Sequence, residues 1–180
     1  MTVAGTDITL TIDANVVSYY FCFINKHSIP KKLKTQRISD FCNYILDKYP
    51  IAINKHIRSE YENISSFELI KNWLAKRLQK NLAIDVNCTS LPCNVRNCIR
   101  DDYGFDCRST DYKYLQTCLN TIFKHLVTEN TIHFCRQHRN KKGCSMPVYL
   151  KHTLGIHVYI IDECCKKLLD NDVKQPDKTG

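Results

Sequence analysis

Residues 8–12 run Ile, Thr, Leu, Thr, Ile, and this period-two alternation predicts a half-buried strand. The apolar, aromatic stretch over 14–24 lacks that alternation. It follows a strand directly and has Asn15 and Ser18 near its start, so it reads as a helix. Residues 25–37, with five basic side chains around Pro30, read as a basic loop. Ile38, Phe41, Ile45 and Tyr49 share one face of a second helix over 38–49, which Pro50 stops. Ile51-Ala52-Ile53 reads as a short buried strand that leads into a helix over 55–63 carrying Glu60. Phe67, Ile70, Leu74 and Leu78 are spaced for a further helix, with Lys71, Lys76, Arg77 and Lys80 assigned to its polar side. The pattern weakens over 82–110, where it supports only a short helix near 92–100 and a polar loop over 101–110. Asp111 opens a helix with Tyr114, Leu115 and Cys118 inward. His125-Leu126-Val127 is a strand ending at Thr128, and 131–138 is a short helix. Residues 136–142 form a basic loop before Gly143. A strand over 156–160 and a helix from Asp162 to about Leu169 come last, and the polar tail 171–180 reads as disordered.

Strands alternating with helices predict an α/β fold with a mostly parallel sheet and helices on both faces. Right-handed crossovers then bring the carboxyl ends of the strands to one edge, where such folds bind ligands. Residues 1–170 are expected to form one domain, followed by the tail. Asp13 ends the first strand at that edge, and Thr128 to Asn130 leave a later one. Glu60 and Asp111 sit on helices that can face the same edge.

Charge narrows the class of partner. The formal net charge is +8, which favours a polyanion, nucleic acid before an anionic membrane surface, although a modest excess of lysine also serves solubility. Lys31, Lys32 and Lys34 form one basic cluster and the helix over 67–78 carries a second. Arg136, Arg139, Lys141 and Lys142 form a third, and their nearness to Thr128 makes them the candidate phosphate contacts. Trp73, Tyr103 and Tyr112 suit either base stacking or the core, and core is the commoner use of such residues. The 11 cysteines are odd in number and follow no secretion-signal pattern, which favours reduced thiols in the cytosol over a disulfide framework. Cys88, Cys93, Cys98 and Cys107 lack the tight pairs of a structural zinc site, so packing is the preferred reading. No apolar run approaches the roughly 18 residues of a membrane span.

Carboxylates gathered at one edge repel each other by roughly 4 kcal/mol per pair at 4 Å and an effective dielectric near 20, so such a cluster calls for a cation. Hard oxygen donors around an open site suit Mg2+ or Mn2+. Each acid also has a structural reading. Asp13 suits an N-cap, Glu60 a surface helix position and Asp111 the favourable end of a helix dipole. Asp101 and Asp102 are assigned to the surface and Asp162 and Glu163 to a helix start, while Asp106 is a rival for Asp111 in the acidic set.

Four segments together resemble the PIN-domain family of metal-dependent nucleases: Ile12-Asp13-Ala14-Asn15-Val16-Val17, Ile57-Arg58-Ser59-Glu60-Tyr61, Asp111-Tyr112-Lys113-Tyr114-Leu115 and Leu126-Val127-Thr128-Glu129-Asn130. The strand Gly155-Ile156-His157-Val158 and the helix after it also fit, so the resemblance spans nearly the whole chain. It implies a three-layer α/β/α fold and hydrolysis of RNA phosphodiester bonds by an endoribonuclease at an Mg2+ or Mn2+ site. Asp13, Glu60 and Asp111 would be metal ligands. Asn130 would join them as a catalytic residue, with Asn15 and Thr128 positioning water or phosphate. The family commonly has Asp where this chain has Asn130. Its small members include the VapC-type toxins of bacterial toxin–antitoxin pairs, which implies an antitoxin partner, and dimers are common among them. Two other readings stay open: an RNA-binding module of the same fold with weakened catalysis, and a cysteine-rich interaction protein stabilised by zinc.

Overall fold

Three-residue strands carry the architecture: β1 (Leu10–Ile12), β2 (Ile51–Ile53), β3 (Ala83–Asp85), β4 (His125–Val127) and β5 (His157–Tyr159). They form a five-stranded, all-parallel sheet in the order β3-β2-β1-β4-β5. The computed structural model describes residues 8–24, 35–64 and 67–172. The cluster Lys31, Lys32 and Lys34 and most of the tail therefore lie outside the described residues. β1, β2 and β4 are buried throughout, as expected of central parallel strands covered on both faces.

Helices cover both sides of the sheet, giving the three-layer arrangement. They are α1 (Ala14–Ile24), α2 (residues 35–48), α3 (Lys55–Glu62), α4 (Phe67–Gln79), α5 (Cys93–Asp101), α6 (Asp111–Cys118), α7 (Thr131–Phe134), α8 (Met146–Leu154) and α9 (Ile161–Asp172). Among the described residues, no helix is long and apolar enough to cross a membrane. The start of α2 lies inside the stretch expected to be loop. Arg37 is helical there and pairs with Asp162 of α9 at 3.2 Å, a long-range contact that no local pattern reveals.

Two elements were not expected. β3 is an edge strand in which only Ala83 is buried, so it has no apolar run to announce it. α8 has Pro147 in its first turn and ends at Gly155, whose φ of 70° suits the left-handed conformation of a helix stop. In the other direction, α7 stops at Phe134, short of the expected 138, because Gln137 bridges to Ser145.

Arg77 corrects the expected polar face of α4. It is 4% exposed, donates to the carbonyls of Leu46 and Tyr49 and lies over the Trp73 ring. Those carbonyls belong to the carboxyl end of α2, where helix acceptors have no partner of their own. Trp73 in turn packs against Tyr20 and Phe21, while Tyr103 and Tyr112 are buried. These three aromatics serve the core, as preferred. We predict that Arg77→Ala lowers unfolding free energy by about 3 kcal/mol, because it orphans two buried carbonyls. Lys76→Ala, on the exposed side of α4, should change it by less than about 0.5 kcal/mol. Urea titrations of the two variants check this, and equal small effects would refute it.

Candidate functional site

The register of β1 and β4 builds the site. Ile12 lies opposite Val127, so Asp13 and Thr128 leave the sheet side by side. The Asp13 N–H extends the ladder to the Val127 carbonyl, and the Thr128 N–H reaches Tyr159 at the end of β5. Thr128 Oγ1 donates to Asp13 Oδ2 at 2.6 Å and accepts the Asn130 N–H at 2.9 Å. Asp13 also caps α1, its carboxylate accepting the Asn15 N–H. Asp13 therefore has the expected capping role and also stands at the strand edge beside Thr128.

Glu60 joins from α3. Tyr114 on α6 donates its hydroxyl to Glu60 Oε2 at 2.6 Å and accepts the Ala14 N–H at 3.0 Å. Tyr61, beside Glu60, donates to the Ile12 carbonyl at 2.6 Å and so anchors α3 to the end of β1. Burial holds both tyrosines well above their ordinary pKa, so each remains a neutral donor.

Asp111 completes the set at the start of α6. Its carboxylate meets Asn130 Nδ2 at 3.5 Å and is in close contact with His133 Nδ1. Asn130 Nδ2 also lies 3.1 Å from His133 Nδ1. An unbroken chain of contacts therefore runs from Glu60 through Tyr114 to the start of α1, and from Asp13 through Thr128 and Asn130 to Asp111 and His133.

Electrostatics set Asp13 apart. Its pKa is raised from 3.8 to about 6, first by burial, then by the negative charges of Asp111 and Glu60, against the hydrogen bonds from Thr128 and Asn15. The charges that act on it are acids, so the position favours a proton or a cation. Among the described residues, no three His, Cys, Asp or Glu side chains stand close enough to hold one metal ion between them. The acids are linked through hydroxyl and amide groups instead. The oxygens gathered at this edge are carboxylate and hydroxyl oxygens, donor types that hard divalent cations accept.

Neighbouring residues have other tasks. Asn15 Oδ1 accepts the Glu129 N–H at 3.2 Å and so joins the ends of β1 and β4. Glu129 turns away from the site and accepts the Ile161 N–H at the start of α9 with its Oε1. Arg136 donates to the carbonyls of Ile132 and Gly104, so its guanidinium is committed to backbone. Arg139 packs over Gly104, where a Cβ would come within 2.7 Å of it, and Gly104 has a φ of 67° besides. Lys141 and Lys142 are exposed. Asp106 is a turn residue that accepts the Arg108 N–H, so it does not compete with Asp111. Cys88 contacts Asn54, and Cys107 contacts the Arg96 carbonyl. A cleft of about 580 Å³ lies at the open side of β5, lined by Lys151, His157, Tyr159, Glu163 and Lys167, and does not include Asp13, Glu60 or Asp111.

His133 and the hydroxyl of Tyr114 were missed by sequence reasoning. Each lies three positions after an expected site residue, Asn130 and Asp111, and so on the same side of a helical turn. Compared with protein families, curated proteins and solved structures, the chain matches none.

Proposed function

We propose that this chain is a PIN-like, metal-dependent endoribonuclease that hydrolyses RNA phosphodiester bonds at the edge where β1 and β4 end. The observation that carries the reading is the continuity of the site. Acids from three separate segments, Asp13, Glu60 and Asp111, enter one set of contacts through Tyr114, Thr128 and Asn130. A core that needed only helix caps would not require three buried or half-buried acids near each other, because their repulsion opposes folding.

Asp13, Glu60 and Asp111 would hold Mg2+ or Mn2+ in part through bound water, since the three carboxylates do not close around one point. The chemistry such an ion supplies when bound is neutralisation of phosphate charge and acidification of water. Thr128 orients Asp13, and Tyr114 orients Glu60 while fixing the start of α1. Asn130 sets the position of Asp111. Arg139, Lys141 and Lys142 follow α7 closely in the chain and would hold the RNA phosphates, giving binding that weakens as salt rises. We place the protein in the cytosol, where its free thiols stay reduced.

Asn130 favours a second reading, an RNA-binding module with weakened catalysis, because a neutral amide stands where the family commonly has an acid. Incubating labelled single-stranded RNA with the protein in Mn2+, Mg2+ or EDTA separates the two. Cutting that needs the metal and stops in EDTA is the expected result. Retarded but intact RNA in every buffer would move the weight to the binding module.

A further inference from the structure

β5 is the last strand of the sheet, so one of its edges has no neighbouring strand. The His157 N–H donates to the Lys124 carbonyl and the Tyr159 carbonyl accepts the Thr128 N–H, so both residues turn their backbone groups towards β4. Backbone groups alternate sides along a parallel strand, which turns the N–H and C=O of Val158 outward. Among the described residues, neither group has a hydrogen-bond partner. Val158 lines the cleft of about 580 Å³ at this edge, to which α8 contributes Pro147, Val148 and Lys151, and α9 contributes Glu163, Lys166 and Lys167. The charge of that lining is one-sided, three lysines against one acid. Glu163 accepts the Ile160 N–H at 3.3 Å, which ties it to the start of α9, and Lys166 is paired with Asp162 at 2.5 Å. Lys151 and Lys167 converge on His157, whose pKa is held below its ordinary value by burial first and then by their two charges. Val148 is exposed and adds an apolar surface beside them.

We propose that the β5 edge takes an extended acidic segment of another protein as a sixth strand, its backbone on Val158 and its carboxylates at Lys151 and Lys167. A peptide backbone brings both an acceptor for the Val158 N–H and a donor for its C=O. RNA phosphates only accept, and would leave the Val158 carbonyl without a donor. A second copy of this chain would bring the same lysines against these, and like charges oppose that pairing. Lysines beside an open edge are a common block to such self-association. The charge that blocks a second copy favours an acidic strand.

Fluorescence anisotropy of a labelled hexapeptide alternating Glu and Val, mixed with the full chain at low salt, tests this together with amide hydrogen exchange of the complex. The expected Kd is about 100 µM or tighter. Exchange of the Val158 N–H should slow by about tenfold or more at saturation, a readout that needs no variant and that charge attraction alone would not give. A hexapeptide alternating Lys and Val should bind at least about tenfold more weakly. Lys151→Glu should weaken the acidic peptide by about fivefold or more, with its urea midpoint unchanged. Binding of the acidic peptide with unchanged Val158 exchange would overturn strand addition. Equal binding of the two peptides, or no binding of the acidic one at millimolar concentration, would overturn the proposal. Protection of Val158 by single-stranded RNA or by self-association of the chain, and not by the peptide, would give the edge to that occupant instead.

Discussion

Asp13→Asn is expected to abolish metal-dependent RNA cleavage, by at least about a thousandfold, while making the metal-free protein more stable at pH 7. The two effects have one cause. Asp13 is 4% exposed, and its pKa is raised from 3.8 to about 6, by burial first and then by Asp111 and Glu60. A raised carboxyl pKa means that the folded state prefers the neutral form. Ionisation above pH 6 therefore opposes folding by about 3 kcal/mol, at 1.36 kcal/mol for each pKa unit. Asparagine removes that opposition and keeps an acceptor for Thr128. Its amide hydrogens lack an assured partner, which returns about 1 kcal/mol, so a net gain of about 2 kcal/mol is expected. Urea unfolding at pH 7 without metal reads the gain. Mn2+ should then raise the midpoint of the unaltered protein and leave that of the variant in place. A variant less stable than its parent, or one that still cuts RNA, would remove Asp13 from the role assigned to it.

Much of the fold was legible because its central strands are short, wholly buried and followed at once by helices. Ala14–Ile24 was expected with its observed bounds, and Asp111 was expected at the start of its helix. β3 was not legible, since an edge strand with only Ala83 buried has no apolar signature. The inward turn of Arg77 was hidden for a different reason. Its partners are carbonyls at the end of another helix, and a charge at the end of α4 looks the same in sequence whether it faces water or a carbonyl. At the site, the identities of Asp13, Glu60, Asp111, Thr128 and Asn130 were readable from strand and helix ends. What joins them was not. The Tyr114 hydroxyl reaches the start of α1 from 100 residues away, and the contact between His133 and Asp111 joins residues 22 positions apart on different helices.

Between pH 6.5 and 4, two buried groups should act on stability with opposite sign. His125 has its pKa lowered from 6.5 to about 4, by burial first and then by the charges of His157 and Lys167. A depressed histidine supports the fold fully above pH 6.5, and that support is lost as pH falls through 4, about 3 kcal/mol in all. Asp13 acts with the reverse sign over nearly the same window. Its raised pKa makes the fold gain about 3 kcal/mol as pH falls from 6 to 3.8. The two effects oppose each other. His125→Phe removes the loss with little cost in contacts, because Nδ1 of His125 is buried without a hydrogen-bond partner. That variant should therefore become more stable than the unaltered protein as the pH drops towards 4. Asp13→Asn should do the opposite, and the double variant should lie between the two single variants. Leu10 of β1 pairs with His125, which places Asp13 three residues, roughly 10 Å, along the strand from it, far enough for the two effects to add. Unfolding free energies of the four metal-free proteins at pH 7, 5.5 and 4 give the comparison. Parallel profiles for all four would show that neither group is held in the ionisation state the fold assigns to it.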